Sequence, residues 1–215
     1  NVILFRENIE SRAQLRRICE EIQQLVREAT GHGAFITIDQ EGGIVTRLSE
    51  DAVNVPGAMA IAATGDPENA YRAGLLTGRE LRALGVNFEL APSVDVNNNP
   101  KNPGSGGRSY GDEPDTVARY AARLIQGLLD GGVLCSAKHF PGHGDTDTDS
   151  HLALPCVDKS REELEQMELA PFRSAIAAGV PAVMTTHILF PQLEPGGVPA
   201  TMSRRIMTDL LRGEM

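Results

Sequence analysis

The sequence predicts an α/β fold, a (β/α)8 TIM-type barrel of which about five βα units lie in this chain, and three observations lead there. Short apolar runs alternate with amphipathic stretches along the whole length, with no linker or low-complexity tract, so residues 1–215 are expected to form one partial barrel domain. The same helix-to-strand hand-over occurs twice, as Asp130-Gly131-Gly132-Val133 and Ala178-Gly179-Val180-Pro181. Polar side chains also collect at the C-terminal ends of the apolar runs: Asp39, Asp95, Lys138-His139 and His187. The long loops 97–111 and 140–155 follow those ends, which is where a barrel gathers its catalytic groups.

Taken in order, strands are read over 2–5, 34–39, 86–90, 133–138 and 182–187, because continuous apolar runs of this length suit strands covered on both faces. Helices are read over 9–28, 66–84, 115–129 and 161–178. Asp66-Pro67, Glu113-Pro114 and Ser160-Arg161-Glu162-Glu163 are start signals, and Gly85, Gly131 and Gly179 stand where left-handed C-caps belong. A last amphipathic helix is expected to contain Asp209 and Glu214.

Composition narrows the function classes. With 41% hydrophobic and 23% charged residues the chain is an ordinary globular one, long enough for one sizeable core. A formal charge of −9, 4% aromatic residues and no Trp supply no phosphate-tracking surface, which excludes nucleic acid and anionic membrane and points to a neutral or small polar ligand. No apolar run reaches the roughly 18 residues that span a bilayer. Cys19, Cys135 and Cys156 form no metal- or redox-type cluster and are expected as small buried hydrophobes in a reducing compartment, hence a cytoplasmic location. Asn1 leads straight into a strand, so the natural N-terminus, with any export signal, is expected upstream.

The densest chemistry lies in Lys138-His139-Phe140-Pro141-Gly142-His143-Gly144-Asp145-Thr146, running on to Asp149-Ser150-His151. Any single His or Asp in a loop is ordinarily a cap or a solvated charge. That reading weakens when three imidazoles and three carboxylates share the loop after one strand. With Ile38-Asp39-Gln40-Glu41-Gly42-Gly43 and Arg47, Ala91-Pro92-Ser93-Val94-Asp95-Val96-Asn97, and Gly107-Arg108-Ser109-Tyr110-Gly111 before Glu113-Pro114, the chain resembles glycoside hydrolase family 3, in particular its bacterial β-N-acetylglucosaminidases of the cell-wall recycling type. The resemblance covers the whole chain, its motifs in order.

The resemblance implies retaining hydrolysis of terminal β-linked N-acetylglucosamine from peptidoglycan or muropeptide fragments or chito-oligosaccharides, with no cofactor. It places the general acid/base on His151, with Asp149 as its orienting partner. In an extended segment residues two apart point the same way, so a carboxylate at 149 is placed to hold one imidazole nitrogen at 151 and stabilise the protonated ring. Asp39, Arg108, Lys138 and His139 match family positions that grip the terminal sugar. The residue types suit that task, since a carboxylate beside cationic donors reads adjacent hydroxyls. Arg47 either touches the aglycone side or pairs with Glu41; Glu41 is expected to be turned away by Gly42-Gly43; Asp95, Asn97, Asn98 and Asn99, with His143 and Asp145, are read as scaffold.

The family's nucleophile is an aspartate after a later strand. Every Asp or Glu after Asp149 has a more ordinary reading, so the nucleophile is expected beyond Met215 and the chain by itself is expected to be inactive. Two other readings remain at this stage. One is a metal-dependent hydrolase using His139, His143 and His151, although Pro141 and its glycines forbid the helix that an HxxxH site needs. The other is an N-acetylglucosamine-binding fragment without turnover.

Overall fold

A computed structural model describes residues 1–102, 104–146 and 154–215. Five parallel strands run in sequence order, β1 (Val2–Leu4), β2 (Ile36–Ile38), β3 (Phe88–Glu89), β4 (Leu134–Phe140) and β5 (Ala182–Thr185). The register is carried by pairs such as Leu4 with Ile38, Ile38 with Glu89, Glu89 with Cys135 and Lys138 with Met184. Each crossover carries helical structure: α1 (Arg12–Thr30), α2 (Ala58–Ala62) and α3 (Glu68–Leu84), α4 (Pro114–Asp130), then α5 (Arg161–Gln166) and α6 (Leu169–Ala177). This is the arc of a TIM-barrel-like sheet with helices outside, and all five expected strands are present.

Local chemistry accounts for the element ends. Ser11 caps α1 by accepting from the Gln14 amide, Pro114 opens α4, and Ser160 and Glu163 close a reciprocal capping box on α5. Gly31 and Gly85 end their helices in the left-handed conformation. Between helices and sheet lies a core of Ile36, Ile38, Ala137, Phe140, Leu164 and Phe172, with the rings of Phe140 and Phe172 edge to face at 5.2 Å.

Four expectations need correction. Gly131 keeps a right-handed backbone (φ −72°) and Gly132 takes the left-handed one (φ 89°), because Gly131 is packed against Gly78 of α3. The helix expected over 161–178 breaks into α5 and α6 at Met167, where the chain turns to bury the Glu168 carboxylate against Lys159 and Asn98. The last helix is a π-helical turn, Arg205–Leu210, with Ile206 and Leu210 inward and Glu214 beyond it, paired with Arg161. Cys156 is exposed, whereas Cys19 and Cys135 are buried. Among the described residues no helix is long and apolar enough to cross a membrane.

Candidate active site

The C-terminal ends of the strands open into one cavity of about 550 Å³, and the side chains reach it by different devices. Asp39 follows directly on β2. Lys138 and His139 are neighbours in β4, where regular pleating would send them to opposite faces. The register shifts between Lys138 and Phe140, the Lys138–His139 peptide is cis, and both side chains line the cavity.

Lys138 is 1% exposed, so its ammonium needs partners. It has two: Asp39 Oδ1 at 2.7 Å and Glu41 Oε1 at 2.6 Å. Glu41 in turn accepts both Nε and Nη2 of Arg108, at 2.9 and 2.6 Å, in a bidentate pair. Burial would raise the Glu41 pKa, but the hydrogen bond from Arg108 and the charge of Lys138 hold it below the usual carboxylate range. Asp39, Lys138, Glu41 and Arg108 therefore form a charge-balanced chain of two anions and two cations at the cavity wall.

Asp95 organises the next sector. Fully buried, it meets His139 Nδ1 at 2.6 Å and accepts the backbone N–H groups of His139 and His143 at 3.2 and 2.8 Å. Burial opposes ionisation here too, but the charge and hydrogen bond of His139, with the His143 amide, hold Asp95 well below its ordinary pKa. For His143 burial comes first and lowers the ring's pKa, with the neighbouring His139 acting in the same direction. The Asp95 contact fixes the His139 ring orientation and leaves Nε2 as the nitrogen for a ligand.

The loop after β2 is folded by one amide. Gln40 Oε1 accepts the N–H groups of Arg47 and Leu48, at 2.8 and 3.0 Å, and Gln40 Nε2 donates to Asn54. Gly42 has φ +89°, and a Cβ there would lie 2.7 Å from the carbonyl oxygens of Val55 and Pro56; only glycine lets the two segments touch. The loop thus folds back and brings Arg47 to the cavity.

The structure brings four of the expected site residues, Asp39, Arg108, Lys138 and His139, to one cavity. The other two, Asp149 and His151, lie outside the described residues. Glu41 is not turned away: the glycines after it reverse the chain while its own carboxylate points inward to Lys138 and Arg108. Arg47 lines the cavity and is not the partner of Glu41, a role that Arg108 takes. Asp95, read as scaffold, sits on the cavity wall; its spacing from Ser93 along an extended segment, with apolar Val94 and Val96 buried between and after, was the signal that it faces the site. His139 and His143 lie on a strand end and a turn, ring centroids 5.6 Å apart, and among the described residues no three His, Cys, Asp or Glu converge as metal ligands would.

Residues 1–215 match the description "Glycosyl hydrolase family 3 N terminal domain". The chain belongs to glycoside hydrolase family 3. Among the curated relatives, a "Beta-hexosaminidase A" of Pseudoalteromonas piscicida is 40% identical across 99% of this chain and 38% of its own length. A "Beta-hexosaminidase" of Pseudomonas aeruginosa is 35% identical across 100% of this chain and 62% of its own. The chain therefore spans between 38% and 62% of these relatives. Among solved structures, a glycoside hydrolase family 3 β-N-acetylglucosaminidase from Paenibacillus superposes with a TM-score of 0.96 at 53% identity, over 99% of this chain and 40% of that one. NagZ from Neisseria gonorrhoeae, in complex with N-trifluoroacetyl-D-glucosamine, superposes at 0.88 with 35% identity, over 98% and 62%. In this family 3 chain the charge-balanced wall and the Asp95–His139 pair stand at the barrel end where such folds carry their chemistry.

Proposed function

We propose that residues 1–215 form part of an N-terminal catalytic barrel domain that performs retaining hydrolysis of terminal β-linked N-acetylglucosamine from peptidoglycan or muropeptide fragments or chito-oligosaccharides. The observation that carries this is the Asp39–Lys138–Glu41–Arg108 chain at the cavity beside His139. A sugar ring offers adjacent hydroxyls that both donate and accept. Asp39 would accept from a pair of them, while Lys138 and Arg108 would donate and His139 Nε2 would meet a further hydroxyl, and the fixed ion pairs make the array rigid before a ligand arrives. The names of the relatives support the same substrate class, as does the N-trifluoroacetyl-D-glucosamine held by the gonococcal neighbour.

In this reading His151, oriented by Asp149, protonates the leaving oxygen and later takes a proton from the attacking water, and an aspartate outside the described residues forms the glycosyl-enzyme. An acid matters most when the departing oxygen is basic. His151→Ala in the full-length protein is therefore expected to slow a substrate with a sugar leaving group by about a hundredfold or more, and an activated aryl glycoside much less. Equal losses in kcat on both substrates would move His151 out of acid/base chemistry.

A further inference from the structure

The loop that carries Arg108 and the loop that leaves β4 are joined through one side chain. Asn102 Oδ1 accepts the N–H groups of Gly104 and Ser105, at 2.8 and 2.7 Å, and the Ser105 carbonyl accepts the Arg108 N–H at 2.7 Å. Its Nδ2 points the other way and donates to the carbonyls of His143 and Gly144, at 2.8 and 3.1 Å, and to Thr146 Oγ1 at 3.1 Å. Carbonyls on one side and amides on the other fix the orientation of the amide group, since a flipped amide would face four mismatched backbone groups. The two loops also touch directly: a Cβ on Gly144 would lie 1.7 Å from the Val96 carbonyl oxygen, so there is no room to slide one past the other.

We propose that Asn102 is a positioning residue that couples the grip of Arg108 on the sugar to the placement of the β4-exit loop, 141–146, through which the chain runs on to Asp149 and His151. The inference rests on the reading of the site given above. It assigns different jobs to the two ends of one amide: Oδ1 sets Arg108 through Gly104 and Ser105, and Nδ2 sets the loop beyond His139. Both ends are taken up by protein partners, and Asn102 stands behind the residues that line the cavity.

Asn102→Asp separates the jobs. The carboxylate still accepts the Gly104 and Ser105 amides, but it has no hydrogen to give and sets a second oxygen against the carbonyls of His143 and Gly144. In the full-length protein Asn102→Asp is expected to bind free N-acetylglucosamine within about threefold of the parent while kcat on an aryl N-acetylglucosaminide falls on the order of tenfold to a hundredfold. Asn102→Ala, lacking both ends, is expected to lose sugar affinity and kcat together. Unchanged kcat in Asn102→Asp overturns the coupling, and so does an equal loss of affinity and turnover in that variant, which would make Asn102 a support of the fold. If the parent releases no sugar at all, the assigned activity fails and amide exchange decides the coupling. Asn102→Asp must then speed exchange across 141–146 and leave 104–109 as in the parent; unaltered exchange across 141–146 overturns it.

Discussion

Burial acts on two carboxylates near the cavity, Asp95 and Glu89, and their surroundings move their pKa values in opposite directions. Asp95 has the His139 ring and two amides for company and stays ionised. Glu89, on β3 below the Lys138 pair, has only the Gln40 amide on Oε1 at 2.8 Å, while Oε2 has no hydrogen-bond partner among the described residues. Burial, seconded by the charges of Asp39 and Glu41, raises its pKa well above 4.5 against the weaker pull of Gln40 and Lys138. The folded chain then keeps a proton that the unfolded chain releases above 4.5, so Glu89 makes stability fall as pH rises from there toward its folded pKa. Glu89→Gln keeps the acceptor for the Gln40 amide and has no proton to lose. Its stability advantage over the parent in urea unfolding is expected to widen from about pH 5 to about pH 8. A constant offset would mean that Glu89 is ionised throughout. Of this residue-scale chemistry the sequence displayed Asp39, Arg108, Lys138 and His139, because each lies at a strand end or within a motif. It hid Glu41 and Asp95, whose roles depend on where distant Arg108 and His139 arrive in space.

At the scale of elements, helices α3 and α4 approach closely enough to touch backbone to backbone. A Cβ on Gly127 would lie 2.2 Å from the Tyr71 carbonyl oxygen, and one on Gly74 would lie 2.4 Å from that of Leu124. Glycine inside a helix ordinarily costs about 1 kcal/mol relative to alanine, so Gly127→Ala would stabilise an isolated helix. Here the clash with rigid backbone exceeds that gain, and overpacking of this kind costs about 1 to 3 kcal/mol or more. Gly127→Ala is expected to lower Tm by roughly 5 °C, read by calorimetry; an unchanged or higher Tm would show that the helices have room to separate. Helix and strand positions were legible because periodicity and end signals are local: Pro114 and the Ser160–Glu163 box act within one turn. The break between α5 and α6 was not. Its cause is Lys159, which pairs with both Glu168 and Asp145 and so ties that helix junction to the β4-exit loop. Burial alone would lower the Lys159 pKa, but those two hydrogen bonds outweigh it and hold the ammonium charged.

At the scale of the molecule, the proposed function draws on different parts of the chain for binding and for bond-breaking. The proposed sugar contacts fall between Asp39 and His139, inside the sheet of β1 to β5, and need only the ion pairs already formed there. Of the described carboxylates only Asp39 and Asp95 line the cavity, and each is held by a cationic or imidazole partner. A retaining glycosidase requires in addition a carboxylate aimed at the anomeric carbon, about 5 Å from the acid in the usual carboxylate pair. Neither Asp39 nor Asp95 suits that task, because a glycosyl ester on Asp39 would remove one of the two anionic partners of buried Lys138, and one on Asp95 would break the contact that orients His139. The polypeptide of residues 1–215, prepared by itself, is therefore expected to bind N-acetylglucosamine by calorimetry and to release no phenol from an aryl N-acetylglucosaminide over hours. Binding without turnover would separate the grip from the chemistry. Phenol release that disappears on Asp39→Asn or Asp95→Asn, with sugar binding retained, would place the nucleophile on this wall and overturn the division of labour.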